Sequence, residues 1–395
     1  MFGRISTLSA ISLALALVCT AIGVPAAWIF AFLIVFGADA VFSGRATIPP
    51  AFLMTPAQVL IAMLCAGPLA TVSGGQVASY LAPAALSLVV TLVVCAFGAW
   101  LLHRVNRVDG ATGLLATLAG GASGMVLIAR DVRADVQFVT LTQYLRLTVI
   151  VFTLPGMVAW LSAYSDAPGA DSVGTAGVGE SSGAVDPGLW GGVVAAAGSF
   201  WRTPWQGVLG ALAVGLLVWL IVKATGPLFK IPSPYLIVSM AVVVAAIAAG
   251  VPQEFVLPEG LAVNLAYAII GIQAGGTLTK GALRQFSAAL PMLLGVLLLM
   301  VASSLATGWF IAWTSDFDIL DAYLATVPGG VYAVLAFAHD SGSDPLVTVV
   351  QVLRVLVMLI AGAFAPTVID WLRRTGPTRQ TGSPSRDAAD HPTVR

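Results

Sequence analysis

The chain has 395 residues, of which 58% are hydrophobic and 9% are charged, and its 18 basic and 18 acidic side chains cancel to zero net charge. Soluble domains carry roughly 25% charged residues, so a set of soluble domains is excluded. Without net positive charge or a basic patch, the chain shows no electrostatic footprint for nucleic acid, and we expect no nucleic-acid partner.

The apolar residues lie in long continuous runs. Neither a charged residue nor a His occurs at positions 5–38, 46–102 or 285–315. One helical crossing of a bilayer needs about 20 apolar residues, whereas a transmembrane barrel would show alternating segments of about 10 residues. The sequence therefore predicts an all-α polytopic protein of the lipid bilayer. Residues 5–18 also resemble a signal peptide, but we favour a retained first helix because the second half has a counterpart to it.

Hydropathy predicts six spans in each half of the chain. A segment rich in Gly, Ser, Ala and Asp, 164–189, separates the halves and is predicted to be a flexible polar linker. The first membrane repeat is then 1–163 and the second is 190–372, followed by a disordered cytoplasmic tail, 373–395. The predicted spans are 5–22, 25–43, 51–70, 82–102, 112–129 and 136–163, then 205–222, 231–250, 260–278, 287–313, 320–338 and 345–371.

The two halves contain the same motifs in the same order, which indicates an internal duplication. The offset is 209 residues, and it becomes 208 after a one-residue deletion. The matched segments are Leu-Ala-Thr-x-x-Gly-Gly at 115–121 and 324–330, an Asp pair at 131 and 135 and at 340 and 344, and Gln-x-Leu-Arg at 143–146 and 351–354.

Loop charges indicate that the two copies are inverted. The first-half loops with Arg45, Arg104 and Arg107 correspond to second-half loops without Lys or Arg. The remaining first-half loops lack Lys and Arg, whereas their second-half counterparts contain them. Lys and Arg collect on the cytoplasmic side, so the halves would face opposite ways, with both termini of an inner-membrane protein in the cytoplasm. Inversion requires one of the six spans to be broken or re-entrant, as in secondary transporters. The alternative is a parallel duplication with 12 crossings.

Two arginines are predicted to lie about 15 Å deep, near the bilayer centre, where an unpaired Arg costs at least about 2.5–3.5 kcal/mol. They are Arg146 and Arg354, and Gln143 and Gln351 lie three residues earlier on the same helical face. One interpretation is that the arginines bind the carboxylate of an anionic substrate and that the glutamines orient them. The other is that each Arg is a structural clamp on the helix-end carbonyls of the broken span.

The Gly-Gly segments are the predicted breaks, because glycine lets the backbone leave helical geometry. Such backbone is tolerated in a membrane where it lines a cavity or is buried in protein. A half-helix N-terminus after the break would attract an anion, with Ser123 and Tyr332 adding hydroxyl contacts. The alternative is close helix packing on small residues. The predicted substrate-binding glycines are Gly120, Gly121, Gly329 and Gly330.

Each break is followed by two aspartates spaced four residues apart, which would share one helical face if the segment is helical. They could bind Na⁺ or relay protons. Alternatively, they cap the next helix, where Asp is favoured, or pair with Arg130 and Arg133 in the first copy. His339 could titrate near neutral pH or could be a solvated loop residue. The four candidate ion-coupling residues are Asp131, Asp135, Asp340 and Asp344.

These duplicated motifs resemble the AbrB-type integral membrane proteins, often labelled ammonia monooxygenases. In that family the turn typically reads Pro-Gly-Gly-x-x-Glu-Met, and here Gly124 and Ala333 replace the acidic residue, which puts a role in cation coupling in doubt. The resemblance implies a relationship to inverted-repeat transporters of the cation–proton antiporter and bile-acid or glutamate symporter type. It also implies an association with regulation of gene expression.

The monooxygenase label does not fit the residues, and we expect no enzyme activity, no metal and no cofactor. A copper or iron oxygenase needs a cluster of His and carboxylate ligands, but His103, His339 and His391 lie far apart in the sequence. The three cysteines are an odd number and lie in apolar spans, so they suggest neither disulfides nor zinc.

The sequence therefore predicts secondary transport of a small anionic solute by alternating access. The alternative is a non-transporting membrane sensor or regulator that acts through a ligand or a partner protein. A C2 homodimer is expected on fold analogy alone.

Overall fold

A computed structural model describes residues 2–70, 72–120, 122–165, 198, 205–226 and 234–375. The helices of the first half are α1 (Phe2–Ala21), α2 (Ala27–Ser43), α3 (Ala51–Ala70), α4 (Gly74–Asn106), α5 (Gly110–Thr117), α6 (Ala122–Asp131) and α7 (Val136–Ser165). Those of the second half are α8 (Trp205–Thr225), α9 (Pro234–Ala248), α10 (Gln253–Val256), α11 (Leu261–Gly275), α12 (Lys280–Gln285), α13 (Leu290–Thr314), α14 (Ile319–Thr326), α15 (Val331–Asp340) and α16 (Pro345–Thr375).

The chain is an all-α polytopic membrane protein, as its composition predicts. Eight helical stretches in the described ranges are long and apolar enough to cross a membrane. Large apolar side chains cover the outside of these helices, as lipid contact requires; examples are Trp100, Phe152, Leu212, Trp309 and Phe364. The linker residues 166–189 and the tail residues 376–395 lie outside the described ranges.

Helix α4 begins earlier than hydropathy predicts, at Gly74 rather than near residue 82. Its start is set by a capping box. The Ser73 hydroxyl accepts from the Gln76 N–H at 3.4 Å, and the Gln76 side-chain oxygen accepts from the Ser73 N–H at 2.9 Å. Because two otherwise unpaired backbone N–H groups are satisfied, the helix extends into a polar segment that hydropathy alone omits.

The predicted breaks are present in both halves. The predicted span 112–129 divides into α5 and α6, and the predicted span 320–338 divides into α14 and α15. In the second half, Pro328 excludes helical geometry at the preceding residue, and Val327 is extended, with φ −60° and ψ 124°. Leu118 has nearly the same angles, −58° and 130°, although Ala119 follows it. The two breaks therefore share one backbone geometry, which proline is not required to produce.

Helices pack across the two halves in an exchanged arrangement. Helix α2 of the first half packs on α11 of the second, and α9 of the second packs on α3 of the first. Helix α2 corresponds to α9 and helix α3 to α11 under the 209-residue offset. The two contacts are therefore equivalent, and each joins a helix of one half to a helix of the other. The α2–α11 contact is close because of small residues: Gly37 lies where an added Cβ would be 3.4 Å from Gly275 Cα.

Candidate functional site

Gln143 and Arg146 of α7 bind the last carbonyls of the half-helix α5. Both side chains are buried, with 1% and 4% exposed. Arg146 Nη1 donates to Thr117 O at 3.2 Å and to Leu118 O at 3.1 Å, and Arg146 Nη2 donates to Gln143 Oε1 at 2.7 Å. The Gln143 amide nitrogen donates to the carbonyl oxygens of Leu115 at 2.8 Å, Ala116 at 3.3 Å and Leu118 at 3.0 Å.

The second half repeats this arrangement. Arg354 Nη1 donates to Val327 O at 2.5 Å, and Arg354 Nη2 donates to Gln351 Oε1. The Gln351 amide nitrogen donates to the carbonyl oxygens of Leu324 at 2.6 Å, Ala325 at 3.4 Å and Val327 at 3.2 Å. The acceptors Leu324, Ala325 and Val327 are Leu115, Ala116 and Leu118 shifted by 209 residues. Among the described contacts, the duplicated motif therefore repeats all but the bond from Arg146 to Thr117 O.

These contacts support the clamp interpretation for both arginines. The last carbonyls of a helix have no partner within the helix and carry partial negative charge. In a membrane each of them would cost several kcal/mol if left unsatisfied. A guanidinium and an amide together supply the donors, while the carbonyls stabilise the buried cation. The Nε atoms of Arg146 and Arg354 have no hydrogen-bond partner among the described residues.

The two arginines differ in what else they contact. Arg146, but not Arg354, is among the described residues that line a cavity of about 350 Å³. Arg354 has no exposed surface. Arg146 is therefore in a position to contact a solute. The described lining residues are Thr55, Gln58, Gln143, Arg146, Leu147, Pro234, Tyr235, Leu236, Ile270, Gln273, Gly329, Gly330, Val331, Tyr332, Ala333 and Val355.

The cavity is electropositive. Among its described lining residues, Arg146 has a formal positive charge and none is acidic. Helix α15 begins at the cavity wall at Val331, and the described part of α9 begins there at Pro234, a residue type favoured in the first turn of a helix. The first N–H groups of a helix lack partners within the helix and carry partial positive charge. The arrangement suits an anion.

Glycine at the second break allows close contact with α7. An added Cβ at Gly330 would overlap Leu147 Cδ1, and one at Gly329 would lie 2.9 Å from Ile150 Cγ2. The first break makes the reciprocal contact, since an added Cβ at Gly120 would lie 3.1 Å from Leu359 N of α16. Each break therefore packs against the Arg-bearing helix of the other half, and Gly329, Gly330 and Tyr332 also line the cavity.

The aspartates bind helix N-termini. Asp135 Oδ1 accepts from the N–H groups of Gln137 and Phe138 at 3.0 Å each, and Asp344 Oδ1 accepts from the Leu346 N–H at 2.7 Å. These contacts are those of the capping alternative. Asp340 also binds a helix start, but a distant one: its Oδ2 accepts from the Ala26 N–H at 2.9 Å, beside α2.

Three predicted site features lie outside the described residues. They are Gly121 and the side chains of Ser123 and Asp131. Conversely, the sequence motifs did not indicate Thr55, Gln58, Tyr235 and Gln273, which line the cavity. Two of these could have been noticed, because Gln58 and Gln273 are amides within otherwise apolar spans, where a polar side chain indicates a function.

Sequence comparison agrees with the duplicated motifs. The profile of the family described as "Transition state regulatory protein AbrB" matches residues 28–373. The chain belongs to this family. The match extends from the first turn of α2 to the last turns of α16, so both halves and both breaks fall within it. The AbrB-type resemblance predicted from the sequence is confirmed.

Two relatives of this AbrB-family chain cover most of its length. One is "Putative regulator AbrB" of Escherichia coli (strain K12), 28% identical over 293 residues, which are 74% of each chain. The other is "Uncharacterized protein YhjN" of Bacillus subtilis (strain 168), 22% identical over 281 residues, 69% of this chain and 67% of the relative. The name of the first relative describes it as a regulator.

Proposed function

We propose that the protein is a secondary transporter of a small anionic solute, which binds in the cavity beside Arg146. The observation that carries this proposal is the placement of a buried guanidinium and two helix N-termini around one cavity without a described acidic side chain. Removing an anion from water is costly unless fixed positive groups replace its hydration. This cavity supplies such groups within a membrane protein.

The duplicated architecture supports an alternating-access mechanism. Paired broken helices and sites at the interface of two repeats are typical of secondary transporters. Here the cavity combines Gln143 and Arg146 of the first half with the N-terminus of α15 from the second half. In the proposed mechanism the two repeats are inverted, and their relative movement exposes the cavity to either side of the inner membrane. We assign transport rather than an enzymatic reaction.

The membrane orientation can be tested with one matched pair of residues. Arg45 and Glu254 are exposed and are related by the 209-residue offset. In inverted repeats they lie on opposite sides, whereas in a parallel duplication with 12 crossings they lie on the same side. Single cysteines at the two positions, in a variant without native cysteines, would be labelled in intact cells with a membrane-impermeant maleimide. We expect labelling at position 254 and protection at position 45.

Transport is tested in two steps with purified full-length protein. Thermal unfolding in detergent is measured with a panel of small carboxylates, sulfonates, phosphonates and organic cations, because a ligand at 100 times its Kd adds about 2.7 kcal/mol of stability. Any anion that stabilises the protein is then radiolabelled for counterflow in proteoliposomes. We expect stabilisation by an anion, loss of that effect in Arg146→Gln, and counterflow by the wild type. Stabilisation by no anion would contradict the proposal.

A membrane regulator is the second candidate, favoured by the family description and by the name of the E. coli relative. A regulator would use the same cavity to sense the anion and would pass the signal to a partner protein. The two candidates differ in whether the protein catalyses counterflow of the anion. A regulator would be stabilised by the anion without catalysing counterflow, whereas a transporter does both.

A further inference from the structure

The protein already contains one bound carboxylate, supplied by its own chain. The Asp340 side chain lies at the end of α15 and reaches the start of α2. Its Oδ2 accepts from the Ala26 N–H at 2.9 Å, and its Oδ1 accepts from the Tyr267 hydroxyl at 3.0 Å. One backbone donor at a helix start and one side-chain donor thus satisfy the two oxygens of a planar carboxylate.

The counterparts of these two positions, Tyr235 in the second half and Gln58 in the first, line the cavity. The 209-residue offset maps Ala26 onto Tyr235, at the start of α9, and Tyr267 onto Gln58 of α3. Pro25 and Pro234 confirm this register, because each precedes the mapped residue by one position. Tyr235 and Gln58 are both lining residues of the cavity. The helix start and the side-chain donor are therefore conserved between the halves, and the cavity provides space beside them.

The positive charge of the cavity makes an anion the appropriate occupant of this space. Arg146 lines the same cavity with 4% of its surface exposed, and its Nε has no partner among the described residues. The start of α15 adds a second set of helix N–H groups. A carboxylate at Tyr235 and Gln58 would thus face the Arg146 guanidinium as its countercharge.

We propose that the anionic group recognised in the cavity is a carboxylate and that it binds the start of α9 and Gln58, as Asp340 binds the start of α2 and Tyr267. This inference rests on the proposed function and specifies its substrate class as an organic carboxylate. Leu147, Ile270, Val331 and Val355 also line the cavity, so the body of the ligand contacts apolar side chains. A hydrophilic oxyanion such as free phosphate would leave that apolar wall without a partner.

The experiment compares matched anions on purified full-length protein. The probes are acetate, propanoate and butanoate, each paired with the sulfonate and the phosphonate of the same chain length, and binding is measured from the shift in Tm with concentration. We expect the carboxylates to bind at least about tenfold more tightly than their partners. A tetrahedral head group would lose one of the two hydrogen bonds that a planar carboxylate accepts, and one hydrogen bond to a charged group is worth about a factor of ten. Equal binding of sulfonates would overturn the carboxylate proposal while leaving anion transport intact. Binding of no anion would overturn both.

Three variants connect the effect to Gln58. Gln58→Leu removes the donor and should weaken carboxylate binding about tenfold. Gln58→Tyr installs the donor used in the second half and should retain binding. Tyr267→Phe removes the donor that binds Asp340 and should leave carboxylate affinity unchanged. Undiminished binding by a folded Gln58→Leu variant, judged from its melting without ligand, would contradict the proposal.

Asp131 supplies a separate control, since the offset maps it onto Asp340. If the Asp131 carboxylate bound Gln58, it would compete with the ligand, and Asp131→Asn would therefore tighten ligand binding. Our proposal instead predicts an affinity within about twofold of wild type, well below the effect of one hydrogen bond. Tighter binding by Asp131→Asn would overturn the assignment of this position to a ligand.

Discussion

Gln143 bridges Arg146 to the end of α5. Its side-chain oxygen accepts from Arg146 Nη2 at 2.7 Å, while its amide nitrogen donates to the carbonyl oxygens of Leu115 and Leu118, the second of which also accepts from Arg146. The amide orientation follows from this, because a reversed side chain would place two donors opposite the guanidinium. A single Gln thus orients the Arg and shares the capping of the half-helix. Gln351 does the same for Arg354 and α14.

Replacing either Gln by Leu should destabilise the protein. Gln143→Leu and Gln351→Leu each leave buried carbonyls and one Arg donor without a partner, which should lower the free energy of unfolding by about 2–4 kcal/mol. The measurement is thermal or denaturant unfolding in detergent. Gln137→Leu is the control. Gln137 is exposed on the first turn of α7, and the hydrogen bond that its side chain accepts from Gln285 is also exposed, so its effect should stay below about 0.5 kcal/mol. A similar loss at all three positions would contradict the bridging role.

Arg354→Lys separates structural from solute-binding roles. Arg354 has no exposed surface and spans Val327 O and Gln351, and a lysine ammonium cannot reproduce that planar fork. We expect Arg354→Lys to lower Tm without changing anion affinity. Arg146→Lys, at the cavity, should lower both. An equal loss of affinity in the two variants would indicate that Arg354 also contacts the solute.

The sequence predicted the breaks, and it gave the clamp as one of two interpretations of the arginines, because both features depend on local chemistry. Glycines follow the end of α5 and precede α15, and an Arg in an apolar span must find acceptors. The cavity could not be predicted, because Gln143-x-x-Arg146 and Gln351-x-x-Arg354 are the same motif and bind equivalent half-helix ends. Only the packing of distant helices, α15 against α3 and α11, determines that Arg146 lines the cavity.

The role of Asp340 was also beyond the sequence. Capping by Asp135 and Asp344 is local and was among the stated alternatives. Asp340 instead contacts Ala26, 314 positions away in the chain. No spacing rule indicates such a partner, since the contact exists only after the two halves have packed together.

The Asp340–Tyr267 contact should be measurable as a coupling energy. Asp340→Ala removes the acceptor for the Ala26 N–H and for the Tyr267 hydroxyl, which should cost about 1–2 kcal/mol. Tyr267→Phe should cost about 1 kcal/mol. In the double variant the losses should not add, and the difference, about 0.5–1.5 kcal/mol, is the coupling. Strict additivity in the double-mutant cycle would indicate that the two side chains do not interact in the folded protein.

Gly330→Ala tests whether close packing at the break is required. The new Cβ would overlap Leu147 Cδ1, so α15 and α7 would have to separate, and such overpacking typically costs about 1–3 kcal/mol. Because both residues line the cavity, the variant should also bind anions more weakly. Shortening the neighbour should compensate: Gly330→Ala combined with Leu147→Ala should recover stability relative to the sum of the single changes.

The control for this change is Gly215→Ala in α8, where an added Cβ meets nothing within 4 Å. Alanine is favoured over glycine in a helix by about 0.8–1.0 kcal/mol, so this variant should melt at or slightly above the wild-type temperature. Melting curves of all four variants, with and without a stabilising anion, distinguish a steric effect at residue 330 from a general intolerance of alanine. A Gly330→Ala variant as stable as Gly215→Ala would show that α7 and α15 are not packed at this distance.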